Sequence, residues 1–399
     1  MSGDVRDNIG GSIWGKYRVL ETESRAWIRC HKPSGRCLYG QQNMKQMTTF
    51  ERMKRMYAHQ EADRIPITDS PWDATIKRWQ REGMPANVSF VDFFGLDRIE
   101  TIQVDNSPHY PERVIEQTDE YSIYTTTWGA TLKNWKHIAS TPGFVDFTVK
   151  TPDDWRKAKE RMTPTPERIP WNRLKANYKH WREQGAWLTG RLWFGFDVTH
   201  SWMVGTERLL IALVEQPEWC VDMFNHFLDV NLALLDQVWE AGYTFDEVYW
   251  PDDMGYKQNQ FFSRRTYQQL LKPIHRLAVA LAHAKGAKAR LHSCGDIRPF
   301  IPDLVEIGID GLNPLEVKAG VDPVVVKEEF GDRLLLHGGV NAVLWNDKKA
   351  IEIEMRRVIP KLKENGGYLF SSDHSVPSSV SLENFRYIIE LAKELGVYA

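Results

Sequence analysis

From Ala186 to its end the chain repeats one unit, a short apolar run followed by a segment of helical period. Such alternation can fold only by laying parallel strands side by side with their crossover helices outside. The runs are Ala186 to Phe194, Asp246 to Asp253, Ala287 to Cys294, Gly308 to Glu316, Arg333 to Gly339 and Gly367 to His374. The intervening segments are long enough to cross over. Between Asp347 and Asn365 the residues Ile351, Met355, Val358, Ile359 and Leu362 share one face, Asn346 is the expected N-cap, and Gly366-Gly367 ends the helix. The last helix carries Phe385, Ile388, Ile389, Ala392 and Leu395 as its stripe, with Ser381 as N-cap and Gly396 as its stop. Both stripes require a sheet to cover.

Two earlier runs bring the strand count to eight, Arg64-Ile65-Pro66-Ile67-Thr68 and Glu100 to Val104. Eight parallel strands predict an α/β fold of the (β/α)8, TIM-type barrel class. A chain of 399 residues with 42% apolar residues is long for one domain unless the fold is a large barrel. A doubly wound open sheet would carry a glycine-rich first turn, and no G-x-G-x-x-G follows an early strand. Thr48-Thr49-Phe50-Glu51 predicts a capping box opening a helix, and the stretch from Tyr121 to Lys150 reads as antiparallel hairpins inserted into the repeat. Residues 1–45 have no sustained period and read as an irregular N-terminal extension, leaving 46–399 as the barrel domain.

Composition narrows the partners. Lys plus Arg number 51 against 53 for Asp plus Glu, so there is no net field to draw nucleic acid or an acidic membrane. No apolar run is long enough to span a bilayer, and the N-terminus lacks a signal core, so a cytoplasmic protein is expected. Cys30, Cys37, Cys220 and Cys294 are too few and scattered for a disulfide framework, and reduced thiols are the expectation.

In a parallel barrel the carboxyl ends of the strands surround the active-site mouth. Here those ends hold Asp252 and Asp253, His292 and Cys294, Asn313 and Glu316, His337, and Asp373 with His374. Any one Asp or Asn there could be a helix cap. In Leu291-His292-Ser293-Cys294-Gly295-Asp296 the period of two sends His292 and Cys294 to one side, and Gly295 turns the chain after them. Imidazole and thiolate suit zinc, but a site needs a third donor; the pair read alone is more simply a hydrogen-bonded histidine and an inert core cysteine. His374 could serve as acid, base or ligand.

Four segments carry a resemblance: Arg290 to Pro299 (RLHSCGDIRP), Gly308 to Glu316 (GIDGLNPLE), Leu336 to Asn341 (LHGGVN) and Asp373 to Asn384 (DHSVPSSVSLEN). In order and spacing they resemble the uroporphyrinogen decarboxylase superfamily, and Met47 to Arg52 with Asp63 to Pro66 looks like that family's opening segment. The resemblance covers residues 46–399, loosely between 70 and 180, and implies a TIM-type barrel. True decarboxylases carry an R-Q-A-G-R type segment after the first strand, where this chain reads Thr68-Asp69-Ser70-Pro71-Trp72-Asp73-Ala74. The missing arginines point away from a substrate with many carboxylates.

The other branch of the superfamily holds corrinoid-dependent methyltransferases, some of which bind zinc through an H-x-C pair and a later cysteine. His292 and Cys294 match the pair. No cysteine follows Cys294, and Asp373 or His374 stands near the vacant place, so the resemblance implies a His/Cys/His or His/Cys/Asp zinc site or none, with His292, Cys294 and His374 the expected metal ligands. The function implied is methyl transfer, as in O-demethylation, between a small methyl ether or thiol and a cobalamin-type corrinoid held on a partner protein. Asp252, Asp253, Glu316, His337, Asp373 and His374 are the expected catalytic residues, and a homo-oligomer is compatible with this reading. The alternatives are a metal-free decarboxylase, with rim carboxylates and His374 moving protons, and a barrel that binds a ligand without turning it over.

Overall fold

The computed structural model describes residues 46–137 and 141–398; the extension expected over residues 1–45 lies outside the described residues. In chain order the strands are β1 (Ile99–Gln103), β2 (Val114–Gln117), β3 (Tyr121–Thr125), β4 (Ala130–Trp135), β5 (Gly143–Phe147), β6 (Trp187–Arg191), β7 (Glu247–Pro251), β8 (Gly255–Tyr256), β9 (Asn259–Gln260), β10 (Lys288–His292), β11 (Gly311–Asn313), β12 (Leu335–His337) and β13 (Tyr368–Leu369). Seven of them form one curled parallel sheet in the order β1-β6-β7-β10-β11-β12-β13. The regular ladder is not closed. At the place of an eighth strand, Ile67 bridges Phe370 in parallel beyond β13, and its carbonyl accepts the Asp97 N–H just ahead of β1. Pro66 explains why this segment is a bridge and not a ladder, because it has no N–H to donate. The fold is the expected TIM-type α/β class.

The strands are shorter than the apolar runs that announced them. The run Asp246 to Asp253 pairs only as Glu247–Pro251, and Ala287 to Cys294 only as Lys288–His292. The residues beyond each ladder leave the sheet and build the rim. The expected hairpins form a separate antiparallel sheet, β2-β3-β4-β5.

The helices follow the stripes. Thr48 accepts from the Glu51 N–H while the Glu51 carboxylate accepts the Thr48 N–H, completing the capping box of helix Thr49–Tyr57. Ser381 caps Leu382–Leu395, whose Phe385, Ile388, Ile389 and Ala392 are buried. The cap of helix Lys348–Leu362 is Asp347 and not Asn346: its carboxylate accepts two N–H groups, Lys349 and Ala350. Asn346 instead donates to Ser379.

One outer ion-pair cluster gives a pH prediction. Asp303, 1% exposed, accepts from Arg264 at 2.5 Å, Lys272 at 2.7 Å and Gln268 at 2.9 Å. These donors overcome the cost of burial and draw its carboxyl down to about 2. A depressed carboxylate contributes stability above the ordinary aspartate value near 4 and loses it as pH falls through the folded value. Urea unfolding should find Asp303→Asn less stable than the parent by about 2 kcal/mol at neutral pH, the gap closing between pH ~4 and ~2. An equal gap at neutral pH and at pH ~2 would refute the assignment.

Candidate active site

The rim beyond β7 and β10 gathers the donors. Asp253 lies two residues past the end of β7, and Cys294 two past the end of β10. Gly295 holds this turn at φ +80°, and a Cβ there would lie 2.1 Å from the Gly255 carbonyl carbon, so only glycine fits. Cys294 Sγ sits 3.3 Å from His292 Nε2, and Asp253 Oδ1 lies 3.7 Å from that nitrogen. The three donor atoms all lie within 4.8 Å of one another. Zinc at about 2.0–2.3 Å from tetrahedral ligands sets those donors about 3.3–3.8 Å apart. Both separations from His292 Nε2 fall in that range, and the imidazole, thiol and carboxylate are donors that suit zinc.

His292 is oriented for this. Its Nδ1 is 2.5 Å from Asn313 Oδ1, an acceptor, so Nδ1 carries the hydrogen and the Nε2 lone pair faces Cys294 and Asp253. Asn313 is itself fixed by donating to the His337 carbonyl at 3.3 Å. Burial disfavours the charged form of each donor. It raises the Asp253 carboxyl and the Cys294 thiol, with neighbouring carboxylates adding to the rise, and pulls His292 down to about 4. A bound dication would reverse the bias for Asp253 and Cys294, since it favours their anionic forms.

The other expected residues fall into different places. Asp252 is fully buried and held by the Asp197 N–H at 2.6 Å and His275 at 2.8 Å. Gly195 must approach it: a Cβ there would sit 2.3 Å from Asp252 Oδ2. Asp373 is also buried, accepting the N–H groups of Val317 at 3.1 Å and Ala342 at 2.8 Å, so it ties two rim loops together. Glu316 accepts the Gly295 N–H at 2.6 Å and pairs with Lys318 at 3.2 Å, bracing the turn that carries Cys294. His337 is inside the barrel, where its Nδ1 faces Arg290 at 2.9 Å; burial and that guanidinium push it well below the usual histidine range. His374 is exposed and stands outside the cluster of Asp253, His292 and Cys294.

Two site residues were absent from the sequence reading. Asp197 follows β6 and Gly195. Trp193 donates to it at 3.0 Å, and burial, reinforced by Asp253 and Asp252, holds its carboxyl well above the usual range. Arg191 closes β6 beside Tyr249 of β7. The one available signal was a charged residue within the apolar run Ala186 to Phe194.

The uroporphyrinogen decarboxylase (URO-D) family matches residues 198–395, a span that contains Asp253, His292 and Cys294. Those residues form a uroporphyrinogen decarboxylase family domain. Curated relatives of the superfamily include the uroporphyrinogen decarboxylases of Campylobacter lari, 28% identical over 22% of this chain and 23% of that protein. Another is that of Helicobacter pylori, 30% identical over 21% of this chain and 22% of that protein. The chain thus spans about a quarter of the length of the curated relatives it matches. Among solved structures, a methyltransferase from Methanosarcina mazei superposes with a TM-score of 0.60, covering 88% of this chain and 99% of that one at 15% identity. That likeness supports the barrel fold. No helix among the described residues is long and apolar enough to cross a membrane.

Proposed function

We propose that this chain is a methyltransferase, moving a methyl group between a small methylated ether or thiol and a corrinoid carried by a separate protein. The observation that carries the reading is the donor cluster, with Cys294 Sγ at 3.3 Å and Asp253 at 3.7 Å from one imidazole nitrogen. Asp253, His292 and Cys294 would hold zinc, which when bound supplies Lewis acidity toward an ether oxygen or a thiol. Asn313 fixes the imidazole tautomer, and Glu316 fixes the turn bearing the thiol. Asp197 keeps a proton in a buried carboxyl beside Asp253 and is the acid available to a departing oxygen or sulfur. Asp252 and Asp373 position the loops without meeting substrate.

The match to decarboxylases favours a second reading, in which the same carboxylates protonate a carbon that loses carbon dioxide and no metal is needed. Mixing the purified protein with a corrinoid protein in the reduced state and a panel of methyl ethers and thioethers separates the two. Methyl transfer, read as the spectral change on cobalt methylation, is the expected outcome. Absence of methyl transfer from every donor, with carbon dioxide released from a carboxylated substrate, would replace this reading by the second.

A further inference from the structure

Arg191 is a rim cation that the cluster leaves unexplained. The parallel register sets it beside Tyr249 of β7, and Tyr249 in turn beside Arg290 of β10. The two arginines have opposite fates. Arg290 is occupied inside the barrel by Glu247 at 2.6 Å and His337 at 2.9 Å. The Arg191 side chain makes no hydrogen bond or ion pair among the described residues; its guanidinium lies 5.7 Å from the Trp193 ring, and its buried Nε has no partner. An unsatisfied buried donor on a guanidinium is costly to keep, and the planar fork is suited to a bidentate oxyanion.

We infer that Arg191 reads an anionic group, a carboxylate or sulfonate, on the small substrate, a specificity role that rests on this rim being the substrate site. The spacing supports it. Arg191 and His292 lie on strands two places apart with Tyr249 between them, about 10 Å across the sheet. Tyr249 packs against His292 at 6.4 Å between ring centroids, while Trp193 lies beside Arg191. A flat, ring-sized molecule lying along Tyr249 would place its anion on Arg191 and its far end at the cluster of Asp253, His292 and Cys294. Asp197 feels the Arg191 charge but forms no ion pair with it and is hydrogen-bonded to Trp193, while Asp253 accepts the Cys294 N–H at 2.7 Å.

The test is calorimetric binding to the full chain, with no corrinoid protein and no turnover, so its outcome is independent of whether methyl transfer occurs. The probes are para-methoxybenzoate, para-methoxybenzenesulfonate and neutral para-methoxybenzamide. Wild-type protein should bind at least one of the two anions about ten- to a hundredfold more tightly than the amide, and the better of the two identifies the oxyanion. Arg191→Gln should erase that preference while leaving amide binding unchanged, and Arg191→Lys should restore part of it. Equal binding of acid and amide by the wild type, binding of none of the three, or a preference that survives in a folded Arg191→Gln variant would overturn the inference.

Discussion

Cys294→Ala is expected to lose zinc outright. After exhaustive dialysis, elemental analysis should find about one zinc per wild-type chain and less than a tenth of that in the variant. The reason is the size of the donor set. With three protein donors within 4.8 Å of one another, removal of the thiolate leaves one imidazole and one carboxylate, too few for a tetrahedral ion to outcompete water. Loss of a direct ligand should exceed the 10–100-fold penalty typical of residues that only orient ligands. His374→Ala gives the contrasting result. Because His374 lies outside the cluster, its replacement should leave zinc content unchanged, whereas Asp253→Ala should behave like Cys294→Ala. A wild-type chain without zinc would remove the metal from the proposed mechanism. Zinc lost in His374→Ala but kept in Asp253→Ala would return the third ligand to His374.

Arg290→Leu should be the most destabilising single change in the barrel interior. Glu247, fully buried, accepts from Arg290 at 2.6 Å, Tyr57 at 2.5 Å, and Trp187 and Thr189 at 3.3 Å. Removing the guanidinium leaves that carboxylate without its countercharge, and breaking a buried pair from one side costs about 3–5 kcal/mol. It also removes the group facing His337 Nδ1. Replacing both partners is a different matter, because apolar pairs of similar volume are often tolerated in place of a buried ion pair. Denaturant unfolding of Arg290→Leu, Glu247→Leu and the double variant should therefore show strong non-additivity, with the double variant no worse than either single one. Additive losses would mean that Arg290 and Glu247 act separately.

The rim shows where residue patterns were informative and where they were not. The H-x-C spacing put His292 and Cys294 on one side of a strand, and they are 3.3 Å apart. The position at a strand's carboxyl end grouped Asp252 with Asp253, yet adjacent residues leaving a strand point opposite ways. Asp253 reaches the cluster, while Asp252 is buried against His275 and the Asp197 N–H. Spacing cannot say which of two neighbours turns inward when the ladder ends between them and the loop. Arg191 was passed over for a related reason. A charged residue in an apolar run counts as an interruption until the neighbouring strand shows which side it faces.

Periodicity and turn residues, which act over a few residues, were enough to establish the repeating strand and helix units, the capping box at Thr48, the cap at Ser381 and the separate hairpin sheet, because each rests on contacts within one element or between sequence neighbours. Tertiary structure alone decided the bridge at Ile67 that stands in for an eighth ladder, the withdrawal of Asp373 into loop contacts, the grouping of Asp253 with His292 and Cys294, and the isolation of Arg191. Those depend on strands far apart in the chain whose register is set by packing of the whole barrel, and no local pattern encodes that register.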